Sequence, residues 1–118
     1  MPSFALNFYS PVVEPQLRSH RKTATIRLGD KSAKYRKGMV VQILVGQRYG
    51  TREKIFDAVI DKVEVKRLME LSPREIEHDN PEIRRPEDMA SFLGHLYNRD
   101  VTEEDVVTLI RFSEISGT

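Results

Sequence analysis

Fifteen residues, KIFDAVIDKVEVKRL from Lys54 to Leu68, constrain this chain most strongly. Phe56, Ala58 and Ile60 are apolar at every second position, the period slips at Asp61-Lys62, and it resumes at Val63 and Val65. A period of two places successive side chains on opposite faces of a strand. One slipped residue therefore predicts a single long strand interrupted by a β-bulge or bend.

The rest of the chain arranges itself around that strand. FALNF (4–8) reads as a short strand ended by Ser10-Pro11, and PVVEPQLRSH as a short helical turn limited by Pro15. TATIRL (23–28) is rich in β-branched residues and predicts a strand. Lys37-Gly38 marks a turn before MVVQILVG, an apolar run of strand length, and Gly46 to Gly50 marks another. Ser72-Pro73-Arg74-Glu75 combines a capping box with Pro at the first helical position. A polar loop, EHDNPEIRRP, is expected next. Pro86 then opens a helix whose apolar positions Met89, Phe92, Leu93, Leu96 and Tyr97 share one face. VVTLIRFSEI closes the chain as a strand. Strands that do not alternate with helices argue against a doubly wound sheet. They predict an α+β domain: a small mixed or antiparallel β-barrel with two or three helices at one end.

A length of 118 residues fits one domain, 1–118, large enough to fold without staples. There is no Cys, so disulfides, thiol catalysis and Cys-based metal sites are excluded. No apolar run approaches the roughly 20 residues needed to span a bilayer. The N-terminal MPSFALNFYS lacks the basic and apolar regions of a leader, so a soluble cytoplasmic protein, monomeric, is expected. The net charge of +1 conceals a gradient. Residues 18–37 hold eight cations against Asp30 alone, a net +7, whereas residues 70–105 sum to −7. Such asymmetry fits a nucleotide or nucleic-acid footprint on the basic segment. It fits equally two solvated faces that pair with each other.

Phosphate loops of the GxGxxG and Walker types are absent. His20, His78 and His95 have no ligand spacing, and His78-Asp79 is the sole hint of a metal, so no metal and no cofactor is expected. The basic stretch HRKTATIR (20–27) carries the more suggestive chemistry. A partly desolvated Lys22 among cations would have a lowered pKa and take the proton of the Thr25 hydroxyl. Asp79, Glu77 and Glu82 are the acids available to protonate a leaving group. Residues 22 and 25 have opposite parity, so in a regular strand they diverge. They meet only if Lys22 lies at the helix–strand junction or the strand is bulged. The alternative is a polar strand face of Thr23, Thr25 and Arg27 with Lys22 on the surface.

The ordered set RKTATIR, YRKGMVVQILVG, FDAVIDKVEVKRL and LSPREI resembles the ASCH domain family, small β-barrels similar to the PUA fold and associated with RNA. Within it, HRKTATIR is most similar to the branch with N4-acetylcytidine amidohydrolase activity, whose motif is Gly-Arg-Lys-Thr-x-Thr-x-Arg. That resemblance implies Lys22 as proton acceptor and Thr25 as nucleophile. It places Asp79 where the branch has a proton-donating Glu, with Glu77 and Glu82 as neighbours. His20 stands where the motif has Gly, and the segment PEIRRPEDMASFLGHLYNRD is longer than in the compact hydrolases.

Two functions are thereby expected in competition. The first is a metal-independent amidohydrolase acting on N4-acetylcytidine or a related modified nucleoside, with Lys22, Thr25 and Asp79 in the reaction and Arg21 and Arg27 holding phosphate or the carbonyl. The second is a non-catalytic RNA-binding module in which Lys22, Arg27, Lys34, Arg36 and Lys37 meet phosphates and Tyr35 or Tyr49 stacks a base.

Overall fold

The computed structural model describes residues 4–115. Five strands form one sheet: β1 (Phe4–Phe8), β2 (Ala24–Leu28), β3 (Val40–Gly46), β4 (Arg52–Arg67) and β5 (Val106–Glu114), in the order β1-β3-β4-β5-β2. β1 runs parallel to β3, and every other pairing is antiparallel. The helices are α1 (Val13–Arg18), α2 (Pro73–Asp79) and α3 (Pro86–Tyr97), with a 3-10 turn at Leu68–Glu70. The architecture is a mixed five-stranded half-barrel with three helices among the described residues.

The slip at Asp61 is a bulge. β4 pairs Ile60 with Phe112 and Lys62 with Arg111, leaving Asp61 unpaired between them. A second irregularity, between Ile43 and Leu44, skips Ile55 on the facing strand. Each extra residue bends β4 and increases its twist, so one strand serves both sheet neighbours while the sheet curls. Gly38, at φ 91, takes the left-handed conformation that the turn before β3 requires.

Two apolar clusters occupy the two faces of the sheet. Leu6, Phe8, Val41, Ile43, Ile60, Ile110 and their neighbours fill the concave interior, closed by Leu17 of α1. Ala24, Ile26, Leu28, Val107 and Leu109 pack on the other face against Ile76 of α2 and Met89 and Leu93 of α3. β5 is the shared wall, which is why Val107 through Ile110 are all buried. In β2 the even positions face the helices, leaving Thr25, opposite Ile110, and Arg27 on the interior face.

β1 and β2 are the two edges of the sheet, and side chains cover both. The Ile26 and Leu28 amides of β2 donate to Asp79 Oδ2 (2.8 Å) and Tyr97 Oη (3.2 Å). The Ala5 and Asn7 carbonyls of β1 accept from Tyr35 Oη (3.1 Å) and Arg27 Nη2 (3.0 Å). Arg27 therefore spans from one edge of the half-barrel to the other.

Among the described residues no helix is long and apolar enough to cross a membrane.

Candidate active site

The segment between α1 and β2 does not continue the strand. The amides of Arg21 and Lys22 both donate to the Gln16 carbonyl, at 2.9 and 3.0 Å, and the Thr23 amide donates to the His78 carbonyl of α2. β2 begins at Ala24, one residue later than the β-branched run predicts, because Thr23 is held by α2. Lys22 thus sits at the helix–strand junction, and strand parity does not govern it. His20, just before it, has φ 61, a left-handed value that a glycine adopts without strain.

Lys22 turns inward, and its side chain is 4% exposed. Its Nζ donates to the Asp79 carbonyl (2.8 Å), lies 3.2 Å from Asp79 Oδ2, and stands 5.3 Å from the Phe8 ring centroid. Arg27 Cζ lies 4.9 Å from the same ring, and Arg27 Nε donates to Thr25 Oγ1 at 2.9 Å. Phe8 is therefore the floor on which the Lys22–Asp79 pair and the Arg27–Thr25 pair meet. Burial pushes the Lys22 ammonium below the ordinary lysine value, the Asp79 carboxylate opposes that, and the Arg27 guanidinium adds a smaller push downward.

Asp79 is not in a loop. The capping box of Ser72 and Glu75 starts α2, and the helix runs on through Asp79, its last residue. That helix end places the short Asp carboxylate against the edge of β2. Of the three candidate acids, only Asp79 contacts Lys22. Glu77 pairs with Arg84 (2.9 Å), and Glu82 is exposed on the following loop. Arg21 is exposed beside Lys22. Tyr35 does not offer a stacking face: its ring is 4% exposed inside the concave core and its hydroxyl is committed to Ala5. The other candidate for stacking, Tyr49, is exposed, with the Arg48 guanidinium 5.8 Å from its ring.

A cleft of about 640 Å³ opens next to Lys22, with Arg21, Phe56, His78, Arg111 and Phe112 in its walls. Thr25 and Asp79 lie behind Lys22 rather than in the cleft wall. Burial and then the neighbouring Arg111 and Arg74 hold the His78 imidazole below its ordinary value. Phe8, Arg111 and Phe112 carry no sequence motif, since they are aromatic or basic residues on ordinary strands that only folding assembles here. Among the described residues no group of three His, Asp or Glu side chains is arranged to hold a metal ion.

No protein-family model matches the sequence, and a search of curated proteins finds no significant relative. Solved structures do match in shape. The crystal structure of an Enterococcus faecalis V583 protein of family DUF984 superposes with a TM-score of 0.72 at 17% identity, covering 98% of this chain and 82% of that one. The crystal structure of an ASCH domain from Lactobacillus crispatus JV V101 superposes with a TM-score of 0.66 at 14% identity, covering 96% and 80%. The fold is that of an ASCH domain. ASCH-like geometry thus accounts for nearly the whole chain, from the parallel β1–β3 edge to the closing strand β5.

Proposed function

We propose that this ASCH-like domain is an amidohydrolase that removes the acyl group from N4-acetylcytidine or a related acylated nucleoside. One observation carries the reading: a buried lysine of lowered basicity and the guanidinium that holds the Thr25 hydroxyl stand against the same aromatic ring. Neutral Lys22 takes the Thr25 proton, and Thr25 Oγ1 attacks the acyl carbon. The Arg27 Nε donor stabilises negative charge as it develops on Oγ1. The tetrahedral adduct collapses, the cytosine amine leaves with the proton returned by Lys22, and acyl-threonine remains. Water, deprotonated by the same amine, then releases the carboxylic acid and restores Thr25. Asp79, which accepts from both Lys22 and the Ile26 amide, acts as a positioning residue for Lys22 rather than as the proton donor. With Lys22 as base and then acid, the cycle calls for no metal.

Lys22 lines the cleft and Thr25 stands behind it, so the acylated amine approaches Thr25 past the Lys22 side chain. The decisive experiment is acetate release from N4-acetylcytidine by the purified protein. Turnover is expected, with Lys22→Ala and Thr25→Ala folded but reduced by at least about a hundredfold. Because the amine must be unprotonated, the rate should rise with pH to a midpoint below the ordinary lysine value of 10.5. No turnover by the intact protein overturns the proposal.

One feature favours a second reading, RNA binding without catalysis. Arg36, Lys37 and Lys62 line a second cleft of about 550 Å³, Lys31 and Lys34 are exposed in the same loop, and among the described residues only Lys62 of these has a carboxylate partner. RNA affinity falling steeply with salt, in a protein that does not turn over, would select it.

A further inference from the structure

The cleft beside Lys22 contains more positive charge than the proposed reaction uses. Arg111 is half-buried in its wall, and no carboxylate of the described residues lies within ion-pair distance of it. Arg111 faces Ala24 across the β2–β5 pairing, where the small side chain leaves its guanidinium room on the α2 side. Arg21, also in the wall, is likewise without a carboxylate, and so is Arg74, on α2, close enough to act on His78. Of the two acids of the cleft, Glu114 is taken up by His20 (2.7 Å), and Asp61, which keeps its charge, accepts the Ser113 hydroxyl (2.5 Å) rather than either arginine. Lys22 is neutralised by Asp79.

His78 supplies an independent observation. Its ring lines the cleft, yet its buried Nδ1 has no hydrogen-bond partner among the described residues, and a buried polar atom without a partner is uncommon. A half-turn of the ring exchanges Nδ1 with a carbon and directs a nitrogen elsewhere. The aromatic side of the same cleft, Phe56 and Phe112, with His20 stacked on Phe56 at 6.2 Å between centroids, suits a planar base or sugar face. An unpaired guanidinium, a histidine lacking a partner and an aromatic wall describe a receptor for an anion attached to a flat ring.

We infer that Arg111, with Arg21 and His78, forms a phosphate subsite, so that the substrate is a phosphorylated cytidine, as nucleotide or as a residue within RNA, and not the free nucleoside. This rests on the hydrolase reading for the identity of the ring, but the subsite can be tested without turnover. Cytidine and cytidine 5′-monophosphate, neither of which carries an acyl group, are titrated into the full chain by calorimetry. The monophosphate should bind at least about tenfold tighter, as expected for one charge-assisted contact, and the gap should shrink as NaCl is raised. Arg111→Gln should close the gap. If that variant fails to fold, Arg21→Gln, at the exposed member of the subsite, should narrow it.

In NMR titrations the monophosphate, unlike cytidine, should raise the His78 pKa, because a bound anion opposes the depression that burial and then Arg111 and Arg74 impose. A short oligoribonucleotide with an internal cytidine separates the two sources of phosphate. Arg111-dependent binding of the oligomer assigns a diester, and binding of the monophosphate alone assigns a nucleotide. Equal affinity for cytidine and its monophosphate, or a monophosphate advantage untouched by both substitutions, overturns the subsite. An Arg111-dependent advantage in a protein that releases no acetate keeps the subsite and removes the hydrolase.

Discussion

Lys22 and Asp79 form a buried ion pair, and removing one partner of such a pair costs far more than removing both. Lys22→Met leaves the Asp79 carboxylate without its cation, so denaturant unfolding should show a loss of about 3–5 kcal/mol. Lys22→Met/Asp79→Asn keeps an acceptor for the Ile26 amide and should lose markedly less. The pH dependence follows from the lowered lysine pKa. Below the folded-state value the amine is protonated in both states, and its burial penalty is fully present. Between that value and 10.5 the unfolded chain binds the proton that the folded chain has given up. Wild type should therefore gain stability relative to Lys22→Met as pH rises through that window, measured as the difference between their melting temperatures. A gap that narrows as pH rises would show that burial does not lower the basicity of Lys22.

At the scale of elements, the short helix α2 does the most positioning. Its seven residues would be marginal alone, so the Ser72 cap and its reciprocal Glu75 bond decide where it starts. Its end decides where Asp79 falls. Ser72→Ala should cost about 1 kcal/mol in unfolding free energy. It should also increase amide exchange at Ile26, whose proton is held by the residue that closes the helix. Unchanged exchange at Ile26 would show that the cap does not position Asp79. The Asp61 bulge is the other positioning element, since Asp61 borders both clefts where β4 bends.

The whole molecule is a half-barrel whose two edges are joined by side chains rather than by a backbone ladder. Arg27 and Tyr35 supply the donors for β1, at Asn7 and Ala5. Tyr35→Phe removes one of them from a buried position and should cost about 1 kcal/mol. Amide exchange in β1 should rise before exchange in β4 or β5, because β1 has a single strand neighbour. A uniform rise across the sheet would mean that Tyr35 contributes to general packing and not to edge closure. The charge gradient also resolves at this scale. Among the described residues only Lys22 of the basic segment pairs with the acidic one, through Asp79, while Lys31, Lys34, Arg36 and Lys37 stay exposed. The gradient is a surface property more than an internal pairing.

Local chemistry made much of this legible in advance. Alternation in Lys54–Leu68, with its slip at Asp61, specified a long bulged strand because side-chain period and backbone pairing are coupled residue by residue. Ser72-Pro73-Arg74-Glu75 specified a helix start for the same local reason. The residues themselves offered Lys22 and Thr25 with Asp79, Glu77 or Glu82 as the acid, and only the family resemblance placed Asp79 there. Only the tertiary structure decided how they are disposed: Lys22 leaves the strand because Gln16 and His78 hold its neighbours, and Asp79 arrives on a helix end rather than a loop. It likewise removed Tyr35 to the core and brought Arg111 to His78. These are contacts between residues distant along the chain, and their geometry is fixed by packing on both faces of the sheet, which no local pattern encodes.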